Sequence, residues 1–269
     1  MINNIISTYK KNRITINRTK PWASIISRIT SGIFNVVFPI AVFKFVFYGT
    51  LSESFVNFAK TSDYISYIVL GSAINVLALS TIMNIGRALT EEIREGTIEN
   101  IILSPGSRVA YFLGNYFEQI GRSLLEAIVI IIVGFVFGAR YNSVNIFKII
   151  FAVLILCVAF FTMAVFVANI MVILRDTYII QSTISILMDF MCGFMFPVEY
   201  LPSGIRQIAQ IFPLTHALKL CRNIIMNNES LVNNLEQIIN ITILSLVFGV
   251  LSILLFRKVE RKIVENVLI

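Results

Sequence analysis

Residues 128–136 read IVIIIVGFV, a stretch without a charged or hydrogen-bonding side chain. A strand of a transmembrane barrel would instead alternate apolar and polar residues over about ten positions. Because only helices and closed barrels satisfy all backbone polar groups in lipid, this stretch predicts a transmembrane helix. The composition agrees, since 57% of the residues are hydrophobic and 14% are charged, whereas soluble domains average about 25% charged residues. We therefore predict an all-α integral membrane fold and exclude ordinary soluble enzymes.

Apolar runs of this kind recur along the chain, each near the roughly 20 residues that a helix needs to cross a ~30 Å hydrocarbon core. They predict six transmembrane helices, near residues 24–48, 64–86, 113–138, 146–174, 178–198 and 235–256. Only residues 175–177 separate the fourth run from the fifth, so we expect these two helices to form a tight antiparallel hairpin. No stretch has the composition of a soluble domain, and residues 1–269 are predicted to form one transmembrane domain.

Positive charge is distributed unevenly between alternate loops. The formal net charge is +7, and Lys and Arg concentrate in the N-terminal segment 1–23, in the 87–112 loop and in the C-terminal tail. Because cytoplasmic loops of membrane proteins carry the excess of Lys and Arg, both termini are predicted to be cytoplasmic. The charge is therefore interpreted as a topology signal and not as a nucleic-acid patch. The high content of Ile and Asn points to the plasma membrane of a bacterium.

The N-terminal segment contains a short apolar stripe formed by Ile2, Ile5, Ile6 and Tyr9. This spacing is typical of an amphipathic helix that lies on a membrane surface. A frayed basic tail is the alternative, and the sequence leaves both open.

An acidic segment follows the second predicted span. Glu91, Glu95 and Glu99 are four residues apart, so one unbroken helix would stack like charges at a cost of roughly a few tenths of a kcal/mol per pair. Gly96 can break that helix and Thr97 can cap a new one. A cationic partner surface can also neutralise the acidic face. A solvated charged loop is the alternative reading of the segment.

Residues 199–234 are too many for a turn and too polar to span the membrane. Apolar residues at helical spacing occur on both sides of Pro213, which predicts two short amphipathic helices that dip into the outer leaflet. These helices either close the outer end of a pathway or form a structural cap, and the sequence does not decide between the two roles. His216, the single histidine, is expected at the membrane interface.

Four of the charged residues within the predicted spans are candidates for a role in a pathway. Glu118, Arg122 and Glu126 follow one another at four-residue spacing and can form a ladder of ion pairs. The ladder is either a neutralised set at the cytoplasmic interface or the inner mouth of a pathway. Asp189 lies midway along the fifth span, where a carboxylate must be paired or wet. Its candidate partners are Arg122, Lys44 and polar atoms across a dimer interface, and both a structural and a gating role remain open.

Residues 92–105, with their REGTIE core, resemble the cytoplasmic segment of ABC type-2 transporter permeases. The runs FPVEYLP at 196–202 and FPLTHA at 212–217 are similar to the segment before the last span in that family. The resemblance implies a coupling helix at about 97–104 that docks on an ABC ATP-binding subunit. Within the coupling segment 91–105, the residues assigned to this docking are Glu91, Glu92, Arg94, Glu95, Gly96, Thr97, Glu99 and Pro105.

The same resemblance implies the permease subunit of an ATP-driven exporter. Such a permease sits in the lipid bilayer with a second copy of itself or a related permease, and with two ATPases. No Gly-Lys pair occurs in the chain, so the phosphate-binding loop of ATPases is missing. We expect no catalytic site, no metal and no cofactor in this chain, with ATP and magnesium bound by the partner subunit.

The acidic segment looks more like that of drug and peptide exporters than that of polysaccharide exporters. We therefore expect a hydrophobic or amphipathic cargo, such as a drug, an antibiotic or a peptide. Alternatives are a permease for lipid-linked polysaccharide, an ion-coupled secondary transporter and a membrane immunity protein that transports nothing. The candidate pathway or gating residues are Glu118, Arg122, Glu126, Asp189 and Pro213.

Overall fold

The computed structural model describes residues 2–19, 21–97, 108–141, 145–174 and 176–267. Most of these residues are helical, and no β-strand occurs among them, which confirms the predicted all-α fold. The helices are α1 (Ile2–Thr19), α2 (Pro21–Ala41), α3 (Glu53–Ala59), α4 (Tyr64–Arg94), α5 (Arg108–Val136), α6 (Ile146–Leu174), α7 (Thr177–Met191), α8 (Ser203–Ala209), α9 (Pro213–Ile225) and α10 (Leu235–Val267).

Within the described residues, five helical segments are long and apolar enough to cross a membrane. They are Ile26–Val46 in α2 and its π-helical extension, Tyr64–Arg94 in α4, Val109–Val136 in α5, Ile146–Leu174 in α6, and Val232–Val259 in α10 with the turn before it. Five predicted spans are confirmed in this way. The fourth span has the predicted bounds, whereas α4 continues past the predicted end at residue 86 to Arg94.

The predicted fifth span, 178–198, is helical only as far as Met191. Helix α7 has 15 residues, which is about 22 Å at 1.5 Å per residue and less than the ~30 Å hydrocarbon core. Beyond it, Gly193 has a φ of +85°, a conformation that favours glycine. A Cβ at Gly193 would lie 2.5 Å from Cγ2 of Val198, because the chain folds back tightly here. Helix length therefore does not establish the predicted sixth crossing.

Helix α4 lies at the centre of the bundle and contacts α2, α5, α6, α7 and α9. Glycines bring neighbouring backbones close, as is common for helices packed in membranes. A Cβ on Gly71 would lie 2.5 Å from the carbonyl oxygen of Phe194, and a Cβ on Gly134 of α5 would collide with the side chain of Val69. Any movement of α4 therefore changes its contacts with most of the bundle.

Helix α1 confirms the helical alternative for the N-terminal stripe. It packs on the first turns of α5, where a Cβ on Gly114 would lie 2.6 Å from Cβ of Thr8. Ile5 is half-buried, whereas Ile2 and Ile6 are exposed. Part of the apolar stripe is therefore left uncovered by the chain itself.

Helices α8 and α9 confirm the two short helices predicted before the last span. Pro213 is the first residue of α9, where the missing N–H is tolerated because a helix start has no acceptor for it. The interfacial position expected for His216 stays a prediction; within the chain its side chain is 8% exposed. Its ring nitrogens lie 2.9 Å from Oε1 of Gln237 and 3.1 Å from the carbonyl oxygen of Gln210. Helix α10 contributes Gln237, and the spacing of residues within α9 contains no information about this partner.

Candidate coupling and pathway sites

Helix α4 ends in a tight turn centred on Gly96. The N–H of Gly96 donates to the carbonyl of Ile93 at 3.2 Å, and the N–H of Thr97 donates to the carbonyl of Glu92 at 3.0 Å. With a φ of +70° at Gly96, this arrangement is the Schellman motif found at many helix ends. The predicted break of the helix at Gly96 is therefore confirmed.

Glu92 is held inside the chain at this turn. The residue is 8% exposed, and its carboxylate pairs with the ammonium group of Lys11 in α1. The same carboxylate accepts a hydrogen bond from the hydroxyl of Thr97. The Thr97 side chain, expected to cap the next helix, is thus bonded to the end of α4. The turn joins α1, α4 and the segment that follows.

The other charges of the turn face outward. Glu91, Arg94 and Glu95 are exposed in the last turn of α4 and just beyond it. Among the described charges of the predicted docking surface, these three are exposed to a partner, whereas Glu92 is not. Glu99 and Pro105 lie outside the described residues. The same is true of the coupling helix predicted at about 97–104, apart from Thr97.

Glu118 and Glu126 are both buried in α5, and each has a cationic partner. Glu118 pairs with Arg122 one turn further along. Glu126 pairs across to α2, where NH1 of Arg28 lies 3.5 Å from its Oε2. The predicted ladder is therefore present only in its first pair. Arg28 was not predicted because the four-residue spacing rule describes one helix and Arg28 lies on another.

Asp189 accepts a hydrogen bond from Nδ2 of Asn75 in α4 at 2.8 Å. Neither of the cations considered as partners contacts it. Arg122 is engaged by Glu118, and Lys44 is exposed in the π-helical turn after α2. Its partner is therefore a neutral amide of the same chain, in place of the two cations and the polar atoms across a dimer interface that were considered.

A polar line continues along α7 from Asp189 towards the start of the helix. Gln181 donates to the carbonyl of Met83 at 3.1 Å and accepts from NH2 of Arg87 at 3.1 Å. Gln181, Ser185 and Asp189 are spaced by four residues, and all three are half-buried. Polar groups that face lipid are costly, so this face of α7 requires a polar or watery neighbour.

Arg222 of α9 fastens the chain beyond the end of α7. Its guanidinium donates to the carbonyls of Gly193 and Phe194, each at 2.8 Å. It also lies 3.4 Å from the ring centroid of Tyr67 in α4, within the range of a cation–π contact. Burial lowers the pKa of Arg222 from its usual value, and the neighbouring Tyr67 opposes this shift. Nothing in the sequence of residues 199–234 indicates these contacts of Arg222.

The pathway candidates predicted from the sequence do not form one cluster. The α5 charges pair with each other and with α2, Asp189 bonds to α4, and Pro213 begins α9. Within the described part of the chain, no hydrogen bond or ion pair joins these three groups. They stand as separate candidates.

The five long apolar helices define a multi-pass helical membrane protein among the residues that the structure describes. The family model described as "ABC-2 family transporter protein" matches residues 2–254. The chain therefore belongs to the ABC-2 family of transporters, as its resemblance to ABC type-2 permeases implied. No curated protein matches the chain.

Proposed function

We propose that this chain is the permease subunit of an ATP-driven exporter and is energised by a separate ABC ATP-binding subunit. The proposal rests on the turn at the end of α4. The ion pair between Lys11 and Glu92 holds this turn, and Glu91, Arg94 and Glu95 are exposed on it. A partner can engage the three exposed charges while the turn keeps its shape. Two exposed carboxylates favour a basic groove on the partner, since complementary charge steers docking.

Force applied at this turn reaches the rest of the bundle through α4. Most residues in the apolar part of α4 are buried within the chain. The helix therefore moves together with the helices around it. Further along α4, Asn75 bonds to Asp189 of α7 and Tyr67 contacts Arg222 of α9. A displacement at the docked end is expected to alter these contacts, as in other rigid-body transitions between packed elements.

The pathway in this proposal follows the half-buried polar face of α7. Helix α7 and the folded-back residues 192–198 form the sixth crossing, with both termini cytoplasmic. The packing of α7 on α4 and α6 supports this placement. A second permease copy or a related permease covers the part of this face that α4 leaves exposed, because polar groups cannot remain against lipid without cost. A path with apolar walls and one polar side suits an amphipathic drug, antibiotic or peptide, which then moves outward.

Co-purification with an ABC ATP-binding subunit from the same genome tests the docking surface. The double variant Glu91→Lys, Glu95→Lys reverses the exposed carboxylates and leaves the Lys11–Glu92 pair in place. We expect association to fall by about tenfold or more, since each charge-assisted contact is worth about 1.5–3 kcal/mol. The matched control is Glu53→Lys, Glu236→Lys, which reverses two exposed carboxylates elsewhere on the chain. Equal association of both double variants at equal membrane levels would contradict the proposal.

The environment of Asp189 keeps an ion-coupled secondary transporter as the second candidate. Its bonding partner is a neutral amide and not a cation, so protonation breaks no ion pair. Transport assays in vesicles separate the two functions. The exporter needs its ATP-binding subunit and ATP, whereas the secondary transporter moves cargo on an imposed proton gradient with the permease alone.

A further inference from the structure

A polar cavity of about 220 Å³ lies beside Arg222, at the end of the bundle where α4 begins. Its walls come from α3, the start of α4, the segment after α7, and α9. Three cationic side chains line it, Lys60, Lys219 and Arg222, together with the carboxylate of Glu199. A second cavity, of about 230 Å³, lies deeper between α4, α5 and α6 and has apolar walls. The first cavity therefore differs from the second in being strongly cationic.

Two of the three cations have carboxylate partners. Lys219 Nζ lies 2.6 Å from Oε1 of Glu199, and Lys60 Nζ lies 3.6 Å from Oε1 of Glu229. Lys60 remains largely exposed at the rim. Arg222 has no carboxylate within ion-pair distance among the described residues, and it is 8% exposed. The buried cation is thus the one without an ion-pair partner, and Glu199 of the same cavity acts on it only from a distance.

The hydrogen bonds of Arg222 do not compensate its charge. The carbonyls of Gly193, Phe194 and Tyr67 accept from its terminal nitrogens, but Nε is buried without a hydrogen-bond partner. A buried charge is costly unless it is paired as well as hydrogen-bonded, and a buried donor without a partner adds to that cost. A role in fastening the end of α7 accounts for the carbonyl contacts. It does not account for the free Nε or for the lysines that share the cavity.

We propose that this cavity binds a phosphate group, carried by a lipid headgroup or free in solution. Lys60 and Lys219 supply the positive charges that a phosphate in the cavity contacts. The buried guanidinium of Arg222 adds its charge beside them, while its terminal nitrogens stay bonded to backbone carbonyls. Glu199 is the internal competitor, because its carboxylate occupies Lys219 when no phosphate is bound. The proposal does not depend on the ATP-binding partner or on transport, since it rests on the cavity alone.

Calorimetric titration of the purified chain in a neutral maltoside micelle tests this site. The probes are inorganic phosphate, dihexanoylphosphatidylglycerol and, as an uncharged match to the lipid, dihexanoylglycerol. We expect phosphate-bearing probes to bind and dihexanoylglycerol not to bind. Tighter binding of the phospholipid assigns the site to a headgroup, and equal binding of the two phosphates assigns it to the free ion. Both of these outcomes support the proposal.

Three substitutions locate the binding, with Arg222 left intact because it also fastens the chain after α7. Glu199→Gln removes the competing carboxylate and is expected to tighten phosphate binding by about tenfold. Lys219→Gln is expected to weaken it by about tenfold, the value of one charge-assisted contact. The control is Lys148→Gln, since Lys148 contacts Asn228 and the carbonyl of Glu229 outside the cavity. Binding that is absent from both the parent and Glu199→Gln, or equally weakened by Lys148→Gln and Lys219→Gln, would overturn the proposal.

Discussion

Lys11 and Glu92 lie 81 positions apart in the chain and form an ion pair between α1 and the last turn of α4. This contact makes the N-terminal helix part of the same structural unit as the turn at Gly96. A partner that docks on the turn therefore acts on α1 and α4 together. The pair links a segment expected to be either a helix on the membrane surface or a frayed tail to the proposed site of energy transfer.

Glu92→Gln is expected to destabilise the chain by about 1 kcal/mol, because Lys11 loses its partner and is itself half-exposed. The helix α1 should become more sensitive to protease, which limited proteolysis in micelles measures directly. Glu91→Gln is the matched control, since Glu91 is exposed one position earlier. Equal protection of α1 in both variants would mean that the ion pair does not hold this helix.

Gly96→Ala is expected to destabilise the end of α4 by about 1 kcal/mol, because a φ of +70° is strained for a residue with a Cβ. The space around Gly96 is open, so the effect should come from the backbone alone. Gly204→Ala is the control, since Gly204 also has open space and lies in helical α8. Chemical unfolding in micelles should separate the two variants, and equal stability would contradict the Schellman turn as the cause of the break.

Asp189→Asn and Asp189→Leu distinguish a polar contact from a proton site. Asparagine keeps an acceptor for Asn75, so ATP-dependent export should remain within about threefold of the parent, a change below 1 kcal/mol. Leucine leaves the Asn75 amide unpaired at a cost of about 1–3 kcal/mol, and export should fall. The measured quantity is cargo transport into vesicles that contain the permease and its ATPase. Loss of transport in Asp189→Asn, with normal ATP hydrolysis, would favour the proton-coupled alternative.

Gly71→Ala is expected to destabilise the chain by about 1–3 kcal/mol through overpacking. Its Cβ would lie 2.5 Å from both NH2 of Arg222 and the carbonyl oxygen of Phe194. The substitution should therefore loosen the segment after α7 and raise its amide hydrogen exchange. Gly121→Ala is the matched control, because this glycine of α5 has no neighbour within 4 Å of the added Cβ. Similar exchange in the two variants would argue against close packing at Gly71.

The features that local physics controls were predictable from the sequence. The span at 146–174 has its predicted bounds because a long, predominantly apolar run leaves the backbone no alternative to a helix in lipid. The break at Gly96 follows from the left-handed conformation that glycine adopts easily. The start of α9 at Pro213 follows from the missing N–H of proline. Each of these predictions needs only a few neighbouring residues.

The fifth predicted span shows where local reasoning ends. Cys192 to Val198 are as apolar as the helix before them, so the sequence is read as one continuous span. The helix nevertheless ends at Met191, and the carbonyls of Gly193 and Phe194 are satisfied by Arg222 from a helix further along the chain. An apolar pattern carries no information about such a distant donor.

The sequence by itself determined that this protein is a helical membrane protein, where most of its helices lie, and that the acidic segment is broken at glycine. Hydropathy and backbone preference depend on residues that are close together in the sequence, so these properties can be predicted without knowledge of the packing. The tertiary structure alone decided that Glu92 is enclosed by Lys11, that Glu126 pairs with Arg28 and that Asp189 bonds to Asn75. Each of these partners is on a different helix, and only packing determines which polar groups come within reach of one another.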